Sequence, residues 1–193
     1  MNEVQYYLGR DDFDRYEIIE HKTTKPAYSG KCVFSINENS FSNGCDRLTT
    51  VYDFNLYLPI DDSVYFTAKK MFIDNVMLLD SIRAIAELDK GLQQPVDRVL
   101  QTGDHFFYPD TGYNCVKEIE YGEVYVDYID SDCRNYASIF RSQNLVEDCG
   151  ISFEDLQDEG FFIHKDAYNE TYRITTEAIK DIMAFLKNEF LKA

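Results

Sequence analysis

Residues 116–129 read VKEIEYGEVYVDYI. Val116 to Tyr121 and Val124 to Ile129 are two strand-like runs rich in β-branched and aromatic residues. They flank Gly122, the residue type that supplies the positive φ of a tight hairpin turn. The stretch predicts two antiparallel strands with no room for a crossover helix between them, and this decides the fold class. Upstream, Lys31 to Ile36 places Cys32, Phe34 and Ile36 on one face by period two. Val51 to Leu58 sets Tyr52, Phe54, Leu56 and Leu58 against Asp53 and Asn55, with Pro59 ending the strand. Phe13 to Glu20 is a further strand, and the Asn- and Ser-rich Asn37 to Asn43 is a loop, so the first third reads as a meander. Near the end, Phe161 to His164 and Thr171 to Thr175 read as another strand pair, while residues 134–150 have no clear period.

Two segments carry helical spacing. One runs from about Ser63 to Lys90, capped by Asp61 or Asp62 and closed at Gly91. Its apolar face is Met71, Phe72, Leu78, Leu79, Ile82, Ile85 and Ala86; Lys69, Asp80, Arg83 and Glu87 lie opposite. Asn75 falls inside the apolar face and reads as a core amide satisfied by a neighbouring loop. The second follows a cap at Thr175 or Thr176, with Ile179, Ile182, Met183, Leu186 and Phe190 as its stripe, and Lys187 and Lys192 where the dipole favours cations. Short helices are expected at Val96 to Gln101 and from Ser152, with Asp155 as the N3 acid. Strands, helix, strands, helix without βαβ alternation give an α+β class: a single domain, an antiparallel sheet of five to seven strands, one long core helix and a C-terminal amphipathic helix. A two-lobe organisation, 1–91 and 115–193, would use the Gly- and Pro-containing connector between them.

Composition limits function more than it identifies it. The chain has 193 residues with 35 Asp and Glu against 19 Lys and Arg, a net charge of −16. A folded chain with that imbalance repels nucleic acid and anionic membranes and attracts basic surfaces. Residues Met1 to Asp12 show no basic region followed by an apolar run, and no apolar run of about 18 residues occurs, so a cytoplasmic protein is expected. On that footing the five cysteines (Cys32, Cys45, Cys115, Cys133 and Cys149), odd in number and without CxxC spacing, read as reduced thiols. His21, His105 and His164 lie far apart, and no metal or cofactor is expected.

Three patterns point weakly to chemistry. Pro109-Asp110 followed by Glu118-Ile119-Glu120 resembles the PD-(D/E)xK nuclease arrangement, but Tyr121 and Gly122 stand where its lysine belongs, and the chain offers no basic groove for a polyanion. Asp130-Ser131-Asp132 matches a bare DxD with no phosphate loop beside it. His105, flanked by Asp104, is an acid–base group if Cys115 lies near it in space.

Recognition explains the same residues more economically. Tyr108, Tyr113, Tyr121, Tyr125 and Tyr128 alternate with Glu118, Glu120, Glu123, Asp127, Asp130 and Asp132, which gives aromatic contact area framed by carboxylates. The expectation is a non-enzymatic acidic binding protein. It neutralises a basic, nucleic-acid-acting partner by electrostatic and steric occlusion, as an immunity protein for a nuclease toxin or a phage-type inhibitor of a defence nuclease would. The alternatives are a small enzyme with its site at His105 and a structural subunit of a larger complex.

Overall fold

The computed structural model describes residues 4–10, 15–22, 29–43, 48–50, 57–88, 94–132 and 136–192. Among these are eleven strands and three helices, and every pair of strands with a recorded register runs antiparallel. The α+β class holds; the strand count exceeds the expected five to seven because five strands carry no run that marks them as strands in the sequence, while one expected strand, Thr171 to Thr175, is helical. The five are β1 (Val4–Arg10), β4 (Ser40–Ser42), β5 (Leu48–Thr50), β7 (His105–Tyr108) and β10 (Tyr136–Asn144). The chain forms two compact units, each assembled from separate stretches.

The first unit comprises residues 1–76, 134–136 and 176–193. β1 pairs with β2 (Tyr16–Lys22) from Val4↔Lys22 to Arg10↔Tyr16, and β2 pairs with β3 (Ser29–Ile36). The turn into β4 is made by Asn37, whose side-chain oxygen accepts the backbone N–H groups of Asn39 and Ser40, each at 2.8 Å. The expected loop at 37–43 is therefore a tight Asx-type turn plus a short strand. A bulge between Ile18 and Ile19 splits the face expected of β3. Phe34 meets Phe72 edge-on at 6.2 Å, while Cys32 joins Ile19 in a separate cluster packed by Tyr7 and Tyr57. Of the expected strand Val51 to Leu58, residues 51–56 lie outside the described residues. β6 (Tyr57–Ile60) runs through Pro59 instead of stopping at it, because β6 is the edge strand beside β1, where a missing N–H can face outward.

Helix α1 (Asp62–Leu88) starts as expected: Asp61 Oδ1 accepts the Ser63 N–H at 2.9 Å. Within the first unit Tyr65 stacks on Tyr6 at 4.6 Å, and Phe72 meets Phe41 at 5.0 Å. Asn75 returns its amide to the Met71 carbonyl at 2.7 Å, one turn back in its own helix. Further along α1, Leu79 is buried, but Leu78 is half exposed, which narrows the expected apolar face. Gly91 and the side chains of Asp80, Arg83, Ile85, Ala86 and Glu87 lie outside the description. The first unit's part of α3 buries Ile179, Ile182 and Leu186, and Phe190 packs edge-on against Tyr16.

The second unit comprises residues 77–133 and 137–175. Its strand order is β11 (Phe161–Phe162), β7 (His105–Tyr108), β8 (Gly112–Glu120), β9 (Glu123–Asp132), β10. One face carries a core of Phe106, Tyr108, Val116 and Val126 with Val96, Leu100, Leu145, Ile151 and Leu156. The short helix expected at Val96 to Gln101 is absent. Asp104 holds that segment as a loop, accepting from both Arg98 terminal nitrogens at 2.6 and 2.8 Å and from the Gln101 N–H at 2.7 Å. Helix α2 (Phe153–Glu159) has the expected capping box between Ser152 and Asp155.

The largest departure is at 165–175. Helix α3 (Lys165–Lys192) begins ten residues before the expected Thr175 cap, and Thr171 and Thr175 are helical, not strand. Their hydroxyls donate to the carbonyls one turn back, Ala167 and Thr171, at 2.9 and 2.8 Å. This back-bonding satisfies them inside a helix despite their β preference. Cys32 is disulfide-bonded, which corrects the reading of all five cysteines as reduced thiols. Cys115 and Cys149 are free, and Cys45 and Cys133 lie outside the described residues.

Candidate functional site

The β8–β9 hairpin closes on Tyr121 and Gly122, with φ of 51° and 89°. Both central residues are left-handed, the condition for a turn whose twist matches the flanking strands. A bulge at Lys117 shifts the register, so Glu118 lies opposite Tyr125, Ile119 opposite Val124 and Glu120 opposite Glu123. Alternation then places Glu118, Glu120, Glu123 and Tyr125 on one face of the tip. The three glutamates are exposed, and none meets a cation among the described residues. The Tyr125 hydroxyl donates to Glu123 Oε2 at 2.7 Å, and Tyr121 projects fully exposed from the turn.

The remaining members of the expected recognition set are placed differently. Tyr108 and Tyr113 are 7% and 3% exposed and belong to the core, so they offer no contact surface. Tyr128 stacks on Phe140 at 4.6 Å, and its hydroxyl is pushed up to about 12, first by burial and then by Cys149 and Asp130. Asp130 is half-buried, and the Asp132 side chain lies outside the description. Asp127 is 3.7 Å from Lys117 Nζ and accepts the Ser142 N–H at 2.9 Å. The expected recognition set therefore contracts to the tip: Glu118, Glu120, Tyr121, Glu123 and Tyr125.

The nuclease-like pattern does not converge. Asp110 precedes β8 and Glu118–Glu120 end it, a separation of roughly 25 Å at the rise of an extended strand. No group of three or more His, Cys, Asp and Glu able to hold a metal occurs among the described residues.

A second constellation does come together. His105 lies opposite Cys115, and Cys115 opposite Asp127, so the three form a row across β7, β8 and β9 on one face. Tyr168 of α3 places its ring 5.2 Å from His105. Burial, then the nearby Lys165, lower the His105 pKa; burial, then Asp127, raise that of the Cys115 thiol against the pull of Lys117 and Lys165. Burial also pushes up the Tyr168 hydroxyl. The resting pair is thus a neutral imidazole beside a protonated thiol, not an activated ion pair. Asp104, which flanks His105 in the sequence, is committed to Arg98. The chain order hid Asp127 behind the bulge, and Tyr168 between two expected strands where the chain is helical.

No protein-family model, no curated protein and no solved structure matches the chain. Among the described residues, no helix is long and apolar enough to cross a membrane.

Proposed function

We propose that the chain is an acidic binding protein that docks the tip of its β8–β9 hairpin onto a basic partner. That partner acts on nucleic acid, and the carboxylates occupy the positions its substrate's phosphates would take. An immunity protein for a nuclease toxin and a phage-type inhibitor of a defence nuclease both fit this role. The observation that supports it is the placement of Glu120 directly opposite Glu123, with Glu118 on the same exposed face. Like charges held opposite each other cost stability, and a cationic partner reverses the sign of that cost. Tyr121 and Tyr125 supply rigid contact area beside them. A cytoplasmic setting belongs to the same proposal, and the bonded Cys32 weighs against it. The test is affinity capture from a native lysate at two salt concentrations, with the wild-type chain and a Glu118→Gln, Glu120→Gln, Glu123→Gln variant. Recovery of a basic protein that falls with salt and with the variant is expected. Capture indifferent to both would end the proposal.

The His105–Cys115–Asp127 row favours a second reading, a small enzyme using Cys115 as nucleophile and His105 as base. It requires iodoacetamide to modify native Cys115 faster than the free thiol of a model peptide, with His105→Ala slowing the reaction. Slow modification, unchanged in the variant, leaves Cys115 as a packed thiol.

A further inference from the structure

Beside the hairpin turn the second unit holds an apolar cavity of about 230 Å³. Gly122 and Val124 form its wall on the hairpin side, Leu145 its floor, and Val99, Val146 and Phe153 its rim. The rim residues are apolar yet 76%, 60% and 40% exposed, so each keeps hydrophobic surface in water around an apolar depression. The volume lies below the roughly 300–1,000 Å³ of sites for drug-sized ligands and suits one large side chain.

Charge selects among occupants. Glu147 follows Val146 and Glu154 follows Phe153, and both acids are exposed; Glu123, beside Gly122, belongs to the other face of the hairpin from the lining Val124. An anionic lipid or acidic peptide would approach a rim whose chain neighbours are exposed carboxylates, on a chain of net charge −16. A second copy of the chain would bring a further net charge of −16. An apolar group carried between cations meets apolar walls and carboxylates together. We infer that the cavity beside Gly122 seats one large apolar side chain of the basic partner, flanked in that partner by lysine or arginine. The inference rests on the hairpin reading above and adds the chemistry of the segment it would grip.

The chain contains no tryptophan, so a tryptophan in a peptide probe reports its own burial. The probe is an acetylated, amidated Lys-Arg-Trp-Lys-Arg peptide titrated into the full chain, with Lys-Arg-Ala-Lys-Arg as competitor and Glu-Asp-Trp-Asp-Glu as the charge-reversed probe. The expected result is a blue-shifted emission that saturates, an affinity about tenfold above that of the alanine peptide, and no response from the acidic probe. Val146→Asn with Phe153→Asn should remove most of that tenfold advantage. Val99→Asn, on the opposite rim and the most exposed of the three, checks the same loss in a chain whose melting temperature is unchanged. If tryptophan and alanine peptides bind equally and the rim variants change nothing, the cavity inference falls and the acidic hairpin stands. If the acidic probe binds as well as the basic one, or a dimer forms and the rim variants dissolve it, the occupant is wrong. If no peptide binds at millimolar concentration, the cavity inference is overturned, while the hairpin reading stands or falls on the capture experiment above.

Discussion

Substituting Glu120 by lysine should make the fold more stable and the protein worse at binding. Glu120 faces Glu123 directly across the hairpin. Opposed side chains of this kind place their charges about 6 Å apart, where two like charges in water repel by about 0.7 kcal/mol. Lysine removes that repulsion and substitutes an attraction of similar size. Exposure and the entropy of two long side chains reduce the net gain to roughly 0.5–1 kcal/mol. In a chain of this length that corresponds to a rise of about 1–4 °C in melting temperature. Screening lengths of about 8 Å at 0.15 M salt and 3 Å at 1 M mean the gain should fade as salt is added. Thermal and urea melts of wild type and Glu120→Lys, across a sodium chloride series, measure it. Capture of the basic partner by the same variant should weaken, a stability gain opposed to function. A variant less stable than wild type at low salt, or a gain independent of salt, would refute the like-charge account of the tip.

Three further outcomes are expected. Because the folded state lowers the His105 pKa, the unfolded chain binds a proton that the folded chain resists; its contribution to stability is complete above about pH 6.5 and is lost as pH falls towards the lower folded value. Urea midpoints of wild type should therefore drop between pH 7 and 5, and His105→Gln should flatten the slope; equal slopes would contradict it. Ser152→Ala removes the hydroxyl half of the α2 capping box and should lower the melting temperature by about 2–4 °C, while Ser152→Asp should retain most of the stability. Thiol titration of the chain unfolded without reductant should count three groups, the five cysteines less the two joined through Cys32; a count of five would remove the disulfide.

The readable parts of the fold are those where one local rule acts alone. The hairpin at 116–129 declares itself through its two runs and a glycine at the turn, and α2 through Ser152 and Asp155. The C-terminal half of α3 shows its stripe at Ile179, Ile182 and Leu186 because only one side is buried. β1 gives no such pattern, since Leu8 and Gly9 are both buried and alternation disappears. The start of α3 was obscured by threonines whose strand preference is offset by hydroxyl bonds that only a helix provides. At the tip, the exposed glutamates and Tyr121 were legible as a set. Tyr108 and Tyr113 were not separable from them, because a tyrosine in a strand looks the same whichever face it takes. The row of His105, Cys115 and Asp127 depends on strand register, and the extra residue at Lys117 breaks the simple mirror count about the turn.

Tyr121 holds a left-handed backbone at φ 51°. That conformation disfavours a bulky residue by roughly 1–2 kcal/mol, whereas asparagine or glycine adopts it readily. A phenol at this corner therefore leaves the loop less settled than its own geometry allows. Replacing it with asparagine would firm the bend and remove the one ring that stands wholly in solvent at the outermost point of the second unit's hairpin.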